Sequence, residues 1–202
     1  MTPRIERVLT TDPASGMDNN TWLVGDEIDV IVIDPAHDAR PVYDAVAGRR
    51  VAAILLTHGH WDHVRAAVTL GAQVGVAPLL NAADGFLWRE SHPDSPFSEL
   101  HDGDAFEVAG AWLIARVTPG HTPGSMCILA ESLGAVFTGD TLFPGGPGAT
   151  RWAYSSFPTA IDSISRVLFT LDDATVVHPG HGDSTTIGAE RPHLREWIAR
   201  GW

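Results

Sequence analysis

A chain of 202 residues has the length of one domain, or of two compact halves sharing a core, and 44% hydrophobic with 19% charged residues is the balance of a globular protein in water. A formal net charge of -12 excludes a nucleic-acid partner, because phosphate binding needs a basic surface that displaces counterions. All 13 basic residues are Arg, and the lack of lysine excludes Schiff-base chemistry, a lysine general base and the phosphate-binding lysine of a P-loop.

The opening residues, MTPRIERVLTTDP, lack the apolar core of a signal peptide, and the next short runs, RIERVLTT, NTWLVGD and DVIVID, read as strands separated by Gly- and Asp-rich turns. Residues 39–47 suit a short helix ahead of the apolar strand VAAILL. That run, Val51 to Leu56, is the longest apolar stretch, far below the roughly 20 residues that span a bilayer. A helix is expected over 61–70, a strand over 73–77, a helix over 78–89 and a polar surface loop over 90–104. Strands follow at 105–108, 112–118, 125–130 and 135–138, then a Gly/Pro-rich loop over 144–151. A helix over 159–171, a strand over 174–178 and a closing helix over 189–200 complete the chain. Strands first and helix after, twice over, suggest two sheets with helices outside. The single cysteine, Cys127, cannot form an internal disulfide, so a cytoplasmic protein without membrane contact is expected.

The placement of the histidines carries the chemistry. In Thr57-His58-Gly59-His60-Trp61-Asp62-His63 four potential metal donors crowd within six residues, where an apolar strand gives way to a helix. His58 and His60 can face one ion, and Asp62 and His63 a neighbouring position; imidazole with carboxylate suits zinc, and also iron or manganese. Three later motifs each present one donor after a Gly turn: Thr118-Pro119-Gly120-His121, Phe137-Thr138-Gly139-Asp140 and His178-Pro179-Gly180-His181. Glycine there permits a backbone conformation closed to other residues, and a close approach to bound ions. One His after a Gly turn is ordinarily a polar loop residue, but helix and strand packing give no reason to gather the HxHxDH set.

HxHxDH followed by a lone His, a lone Asp after Gly and a final His resembles the metallo-β-lactamase superfamily, from Asp34 in VIDP to TTIGAER. The words GHTPGS, FTGDTLF and PGHG…TTIG look like its glyoxalase II-like branch, in the short, single-domain form. The resemblance implies an α/β (α+β) fold, an αββα four-layer sandwich over residues 1–202 with the metals at one edge. It implies that His58, His60 and His121 hold a first divalent ion and Asp62, His63 and His181 a second, with Asp140 bridging; zinc leads, with iron or manganese as alternatives. Two ions sharing a water lower its pKa towards about 7, giving a hydroxide that attacks a carbonyl whose oxygen the first ion polarises. A thiolate leaving group, with a pKa near about 8.5, needs no strong general acid, which favours a thioester in a chain without lysine.

The resemblance departs from the larger glyoxalase II enzymes, because the residues after His181 are too few for their C-terminal glutathione-binding domain. The substrate is expected to be a small acyl thiol. Asp62 and Asp140 are the catalytic candidates. Arg151 is a candidate partner for a substrate carboxylate, and Trp152, Tyr154 and Trp88 are candidate pocket walls, whereas Trp22 reads first as core and only second as a wall. Asp34 is a candidate to orient the donor loop from behind, or to cap its own turn. Cys127, mid-strand in SMCILA, reads as core, and His37, His92, His101, His178 and His193 as surface or turn residues. Rival readings are a one-iron persulfide dioxygenase, and a lactonase or β-lactamase using the same chemistry.

Overall fold

The computed structural model describes residues 2–201. Its first sheet runs in the order β1 (Arg4–Thr11), β2 (Asp18–Gly25), β3 (Asp29–Ile33), β4 (Arg50–Leu55), β5 (Pro78–Leu80) and β6 (Ser98–Glu99). The pairs β1–β2 and β2–β3 are antiparallel, whereas β3, β4, β5 and β6 are parallel. Parallel neighbours need crossovers, and these contain α1 (Ala39–Val46), then α2 (Trp61–Val64) and α3 (Ala67–Val74), then α4 (Gly85–Ser91). The second sheet contains β7 (Ala105–Val108), β8 (Ala111–Val117), β9 (Met126–Ala130) and β10 (Ala135–Gly139). A small hairpin of β11 (Leu142–Phe143) and β12 (Gly146–Pro147) precedes α5 (Phe157–Val167), after which β13 (Val176–Pro179) and β14 (Thr185–Thr186) extend the second sheet. The helices α6 (Ile187–Glu190) and α7 (Leu194–Arg200) close the chain.

The period of two in the strands sorts these elements into four layers. On β3, Ile31 and Ile33 face the second sheet while Val30 and Val32 face α1 and α3. On β9, Met126, Ile128 and Ala130 meet the first sheet, and Cys127 and Leu129 turn towards α5 and α7. Each fully buried Leu or Ile contributes about 1.5–3 kcal/mol, so the αββα order follows from three apolar clusters rather than one.

Most predicted elements stand, but short strands interrupt the loops expected over 90–104 (β6) and 144–151 (β12), and four other segments differ. Residues 73–77 are the end of α3 and its turn, where Gly75 is left-handed and Val76 donates to the Gly71 carbonyl at 3.0 Å. The strand comes at Pro78–Leu80, where a helix was expected, because Pro is tolerated as the first residue of a strand. The helix expected over 61–70 is broken, with the Ala66 amide donating to the Pro35 carbonyl at 3.2 Å instead of continuing the ladder. Pro192, without an N–H, interrupts the closing helix between α6 and α7. No helix among the described residues is long and apolar enough to cross a membrane.

Candidate metal centre

Strand direction gathers the candidate donors. β8 is antiparallel to β9 and β9 to β10, and β10 is parallel to β13, so β8, β10 and β13 all end at one edge. The loops leaving that edge carry His121, Asp140 and His181, while β3 and β4 deliver Asp34 and the His58–His63 stretch. Cross-sheet hydrogen bonds stitch the two edges together: Met126 N–H to the Thr57 carbonyl at 2.7 Å, and Trp22 Nε1–H to the Pro179 carbonyl at 3.0 Å.

All seven predicted donors are brought together. His58, His60 and His121 form one group and Asp62, His63 and His181 another, the donor atoms of each lying within 4.8 Å of one another. In the first group the His60 Nδ1 stands 3.1 Å from His58 Nε2 and 3.0 Å from His121 Nε2. In the second, His181 Nε2 is 3.2 Å from Asp62 Oδ2 and 3.3 Å from His63 Nε2. Asp140 lies between the groups, 3.3 Å from His63 Nε2, 3.5 Å from His121 Nε2 and 3.6 Å from His181 Nε2. Its Oδ1 is buried without a hydrogen-bond partner.

The outward nitrogens fix which nitrogen faces inward. His121 Nδ1–H donates to the Ala149 carbonyl and His181 Nδ1–H to the Asp18 carbonyl, each at 2.7 Å. His63 Nδ1 lies 2.9 Å from Asp34 Oδ2, His58 Nδ1 3.1 Å from the Thr57 hydroxyl, and His60 Nε2 2.9 Å from the Tyr154 hydroxyl. With every outer nitrogen engaged by oxygen, the five inner nitrogens converge, which is the arrangement a divalent cation takes up. The orphaned Asp140 oxygen among them meets the same requirement, so the residues fit a bound metal.

Charge divides the groups. Burial, then the neighbouring imidazoles, push His58 well below the usual histidine range and His60 down to about 4. Burial opposes ionisation of Asp62 and Asp140, but His63 above all overcomes it, leaving Asp62 well below the carboxylate range and Asp140 at about 2. Burial also opposes the His63 cation, yet Asp140 and Asp62 draw its pKa well above the ordinary value.

Asp34 supports the donor loop from behind and does not cap its own turn, whose Ala36 amide donates to the Thr21 hydroxyl instead. Its φ is 50°, Oδ1 accepts from the Thr57 amide at 2.7 Å and Oδ2 from the Thr57 hydroxyl at 2.6 Å, beside His63. The glycines before the later donors differ among themselves. Gly120 and Gly139 have φ of 144° and 49°, as expected. Gly180 has no positive φ; a Cβ there would lie 2.3 Å from His63 Cε1, so close approach alone requires glycine.

A cleft of about 540 Å³ opens over the donors, walled by Trp61, Leu87, Phe143, Trp152 and Tyr154, with Arg151 and Glu90 among its lining. Arg151 lies over the Trp152 ring at 4.9 Å, and Trp152 and Tyr154 are parallel within 5°. Trp88 does not wall the cleft: it is 1% exposed in the cluster beneath α4, its Nε1–H donating to the Ser95 carbonyl. Trp22 is core, as is Cys127, whose thiol burial pushes up to about 11.

Two histidines read as surface or turn residues sit further in. His178 packs on Trp22 at 4.4 Å and Phe137 at 5.2 Å. His37 Nε2–H donates to Asn19 Oδ1 at 2.7 Å, and Asn19 Nδ2–H in turn donates to Asp62 Oδ2 at 3.1 Å. Asn19 was missed because an Asn in a strand carries no signal until its contact with Asp62, distant in sequence, is known.

A family model of the metallo-β-lactamase superfamily matches residues 15–181. The chain belongs to that superfamily. It is similar to the hydroxyacylglutathione hydrolase GloC of Haemophilus influenzae, at 32% identity over 89% of this chain and 92% of the relative. Among solved structures it is similar to TTHA1623 in a di-iron-bound form, with a TM-score of 0.81, 28% identity and coverage of 92% of this chain and 96% of that one. ETHE1 from Myxococcus xanthus superposes with a TM-score of 0.73 at 28% identity, covering 94% and 83% of the two chains. The protein is thus a metallo-β-lactamase-superfamily hydrolase with a candidate metal site of His and Asp side chains.

Proposed function

We propose that the protein hydrolyses a thioester, as a glyoxalase II-like hydroxyacyl-thiol hydrolase acting on a small acyl thiol. The observation that carries this reading is the meeting of two three-donor groups around Asp140 beneath an aromatic cleft. Identity of 32% to a relative named as a hydroxyacylglutathione hydrolase supports it. In this reading His58, His60 and His121 would hold one divalent ion and Asp62, His63 and His181 a second, with Asp140 placed between the two groups. Zinc suits these donors, and iron or manganese the same set. Such ions, when bound, polarise a carbonyl oxygen and bring the pKa of water towards about 7.

The chain's own residues supply the rest. Asp62 and Asp140 lie where the two groups meet and are placed to pass on the proton released as water adds to the carbonyl. The carbon–sulfur bond then breaks and the sulfur leaves as thiolate, whose ordinary pKa near about 8.5 needs no strong acid. Arg151 offers a cation to a substrate carboxylate, and Trp152 and Tyr154 flank the acyl or thiol arm. The buried, unpaired Cys127 suits the reducing cytoplasm.

The rival is a one-iron persulfide oxidation, in which a single ion leaves part of the two three-donor groups without a metal to hold. The test is metal analysis after gentle purification, with turnover measured on S-acyl thiols including S-lactoylglutathione, on lactones and on nitrocefin. Two ions per chain and fastest turnover of an acyl thiol are expected. One iron per chain with oxygen uptake on a persulfide, or a clear preference for a lactone or β-lactam, overturns the reading.

A further inference from the structure

The carboxylate of Asp84 lies outside both donor groups, at the junction of a tight turn (Ala82–Asp84) with α4, and is 0% exposed. Its hydrogen-bond partners are all neutral donors. Oδ2 accepts from the Gly59 amide at 2.8 Å and the Thr122 hydroxyl at 2.7 Å, and Oδ1 from the Gly124 amide at 2.6 Å. Gly59 separates His58 from His60, and Thr122 and Gly124 follow His121. One carboxylate therefore joins the two loops, one from each sheet, that present all three imidazoles of the first group.

The fit is close enough to dictate sequence. A Cβ on Gly59 would stand 2.9 Å from the Asp84 carbonyl oxygen, and one on Gly124 would stand 2.7 Å from the Asp84 Cγ. Neither glycine has a positive φ, so it is the approach of Asp84 and not backbone conformation that excludes a side chain. Ser125 extends the contact, its hydroxyl lying 2.7 Å from the Thr122 hydroxyl while accepting from the Thr122 amide at 3.0 Å. Asparagine at position 84 cannot replace this arrangement, because its NH2 would face an N–H or an O–H that needs an acceptor.

We infer that Asp84 is a positioning residue that sets the spacing of His121 against His58 and His60, and so governs metal affinity at the three-histidine group and not at the other. The second group is held by different partners: Asp34 behind His63, Asn19 behind Asp62 and the Asp18 carbonyl behind His181. Asp84 touches none of these among its hydrogen bonds. The inference rests on the reading that both groups hold metal.

The experiment is zinc titration of the metal-free protein against a competing chromogenic chelator, for wild type, Asp84→Asn and the milder Thr122→Val, with the cobalt(II) absorption spectrum as a second readout. His58→Ala assigns which of the two binding steps belongs to the three-histidine group. That step is expected to weaken about 10- to 100-fold in Asp84→Asn, with a smaller loss in Thr122→Val, an altered cobalt band for that group and the other step unchanged. Two wild-type steps retained in both variants, or both steps weakened alike with a lower Tm of the metal-free protein, overturn the inference. If Asp84→Asn does not fold, an unchanged step in Thr122→Val overturns it equally. Wild type binding no zinc or cobalt would instead remove the metal reading itself.

Discussion

His58, His60 and His121 come from both sheets and include no carboxylate, whereas Asp62, His63 and His181 contain one and face a second in Asp140. The outer nitrogens of the first group bond neutral oxygens, of Thr57, Tyr154 and Ala149, while His63 bonds the Asp34 carboxylate. Burial keeps the first three imidazoles towards their neutral form, and carboxylates draw His63 and His181 the other way, against burial. The second group is thus held by its own ion pairs. The first has one carboxylate contact, His121 with Asp140, and otherwise imidazoles facing one another, so it depends on the loops around it for its shape. Two buried carboxylates support the groups differently: Asp34 touches the His63 ring directly and reaches His58 only through the Thr57 hydroxyl, whereas Asp84 touches only loop backbone and a hydroxyl.

The hardest test of this division removes the residue common to both sides. Asp140→Ala is expected to lower thioester hydrolysis by more than about 10²-fold, the cost of losing one electrostatic stabiliser in other active sites, and to lower metal content below that of wild type. His193→Ala is the control, since among the described residues His193 pairs with Glu196 on the exposed face of the closing helices, away from both groups. Metal analysis and initial rates on the same samples decide it: full turnover in the Asp140 variant would sink the shared role.

A finer test sets Asp34 against Asp84. Asparagine tolerates the left-handed φ of 50° at position 34, so Asp34→Asn keeps the backbone while placing an NH2 against Thr57 or His63. A fall of about 10- to 100-fold in zinc affinity is expected, most of it on the step of the Asp62–His63–His181 group. Chelator competition reads it directly, and weakening of the same step as Asp84→Asn would erase the division between the two carboxylates.

The sequence made the donors legible and their supports largely invisible. HxHxDH is dense because one strand end and one helix start supply four donors, so local spacing alone reveals it. His121, Asp140 and His181 are single residues, legible only through the glycine before each and the resemblance of the whole pattern. Asn19, Asp84 and the Ala149 carbonyl act through contacts between residues far apart in the chain, which no local pattern encodes. The same limit explains the revisions of the fold. The strand expected over 73–77 lies instead at 78–80, because local pattern does not say where a short apolar run pairs and the parallel pairing of Ile54 with Pro78 does.

The smallest expected effect concerns a half-buried imidazole that belongs to neither group. His178 stacks on Phe137 and Trp22 at the inter-sheet core, and burial lowers its pKa to about 4 from an ordinary value of 6.5. Between those two values the unfolded chain takes a proton that the folded chain refuses, so stability falls as pH drops from 6.5 towards 4 and the contribution is fully present above 6.5. His178→Asn removes the titrating ring while keeping an acceptor for the Ser184 hydroxyl, 2.9 Å from Nδ1. Urea denaturation of the metal-free proteins across that range should give a shallower decline in the variant. Parallel curves would mean that the ring is protonated as readily in the fold as in the open chain, and that burial among aromatic side chains does not by itself keep an imidazole neutral here.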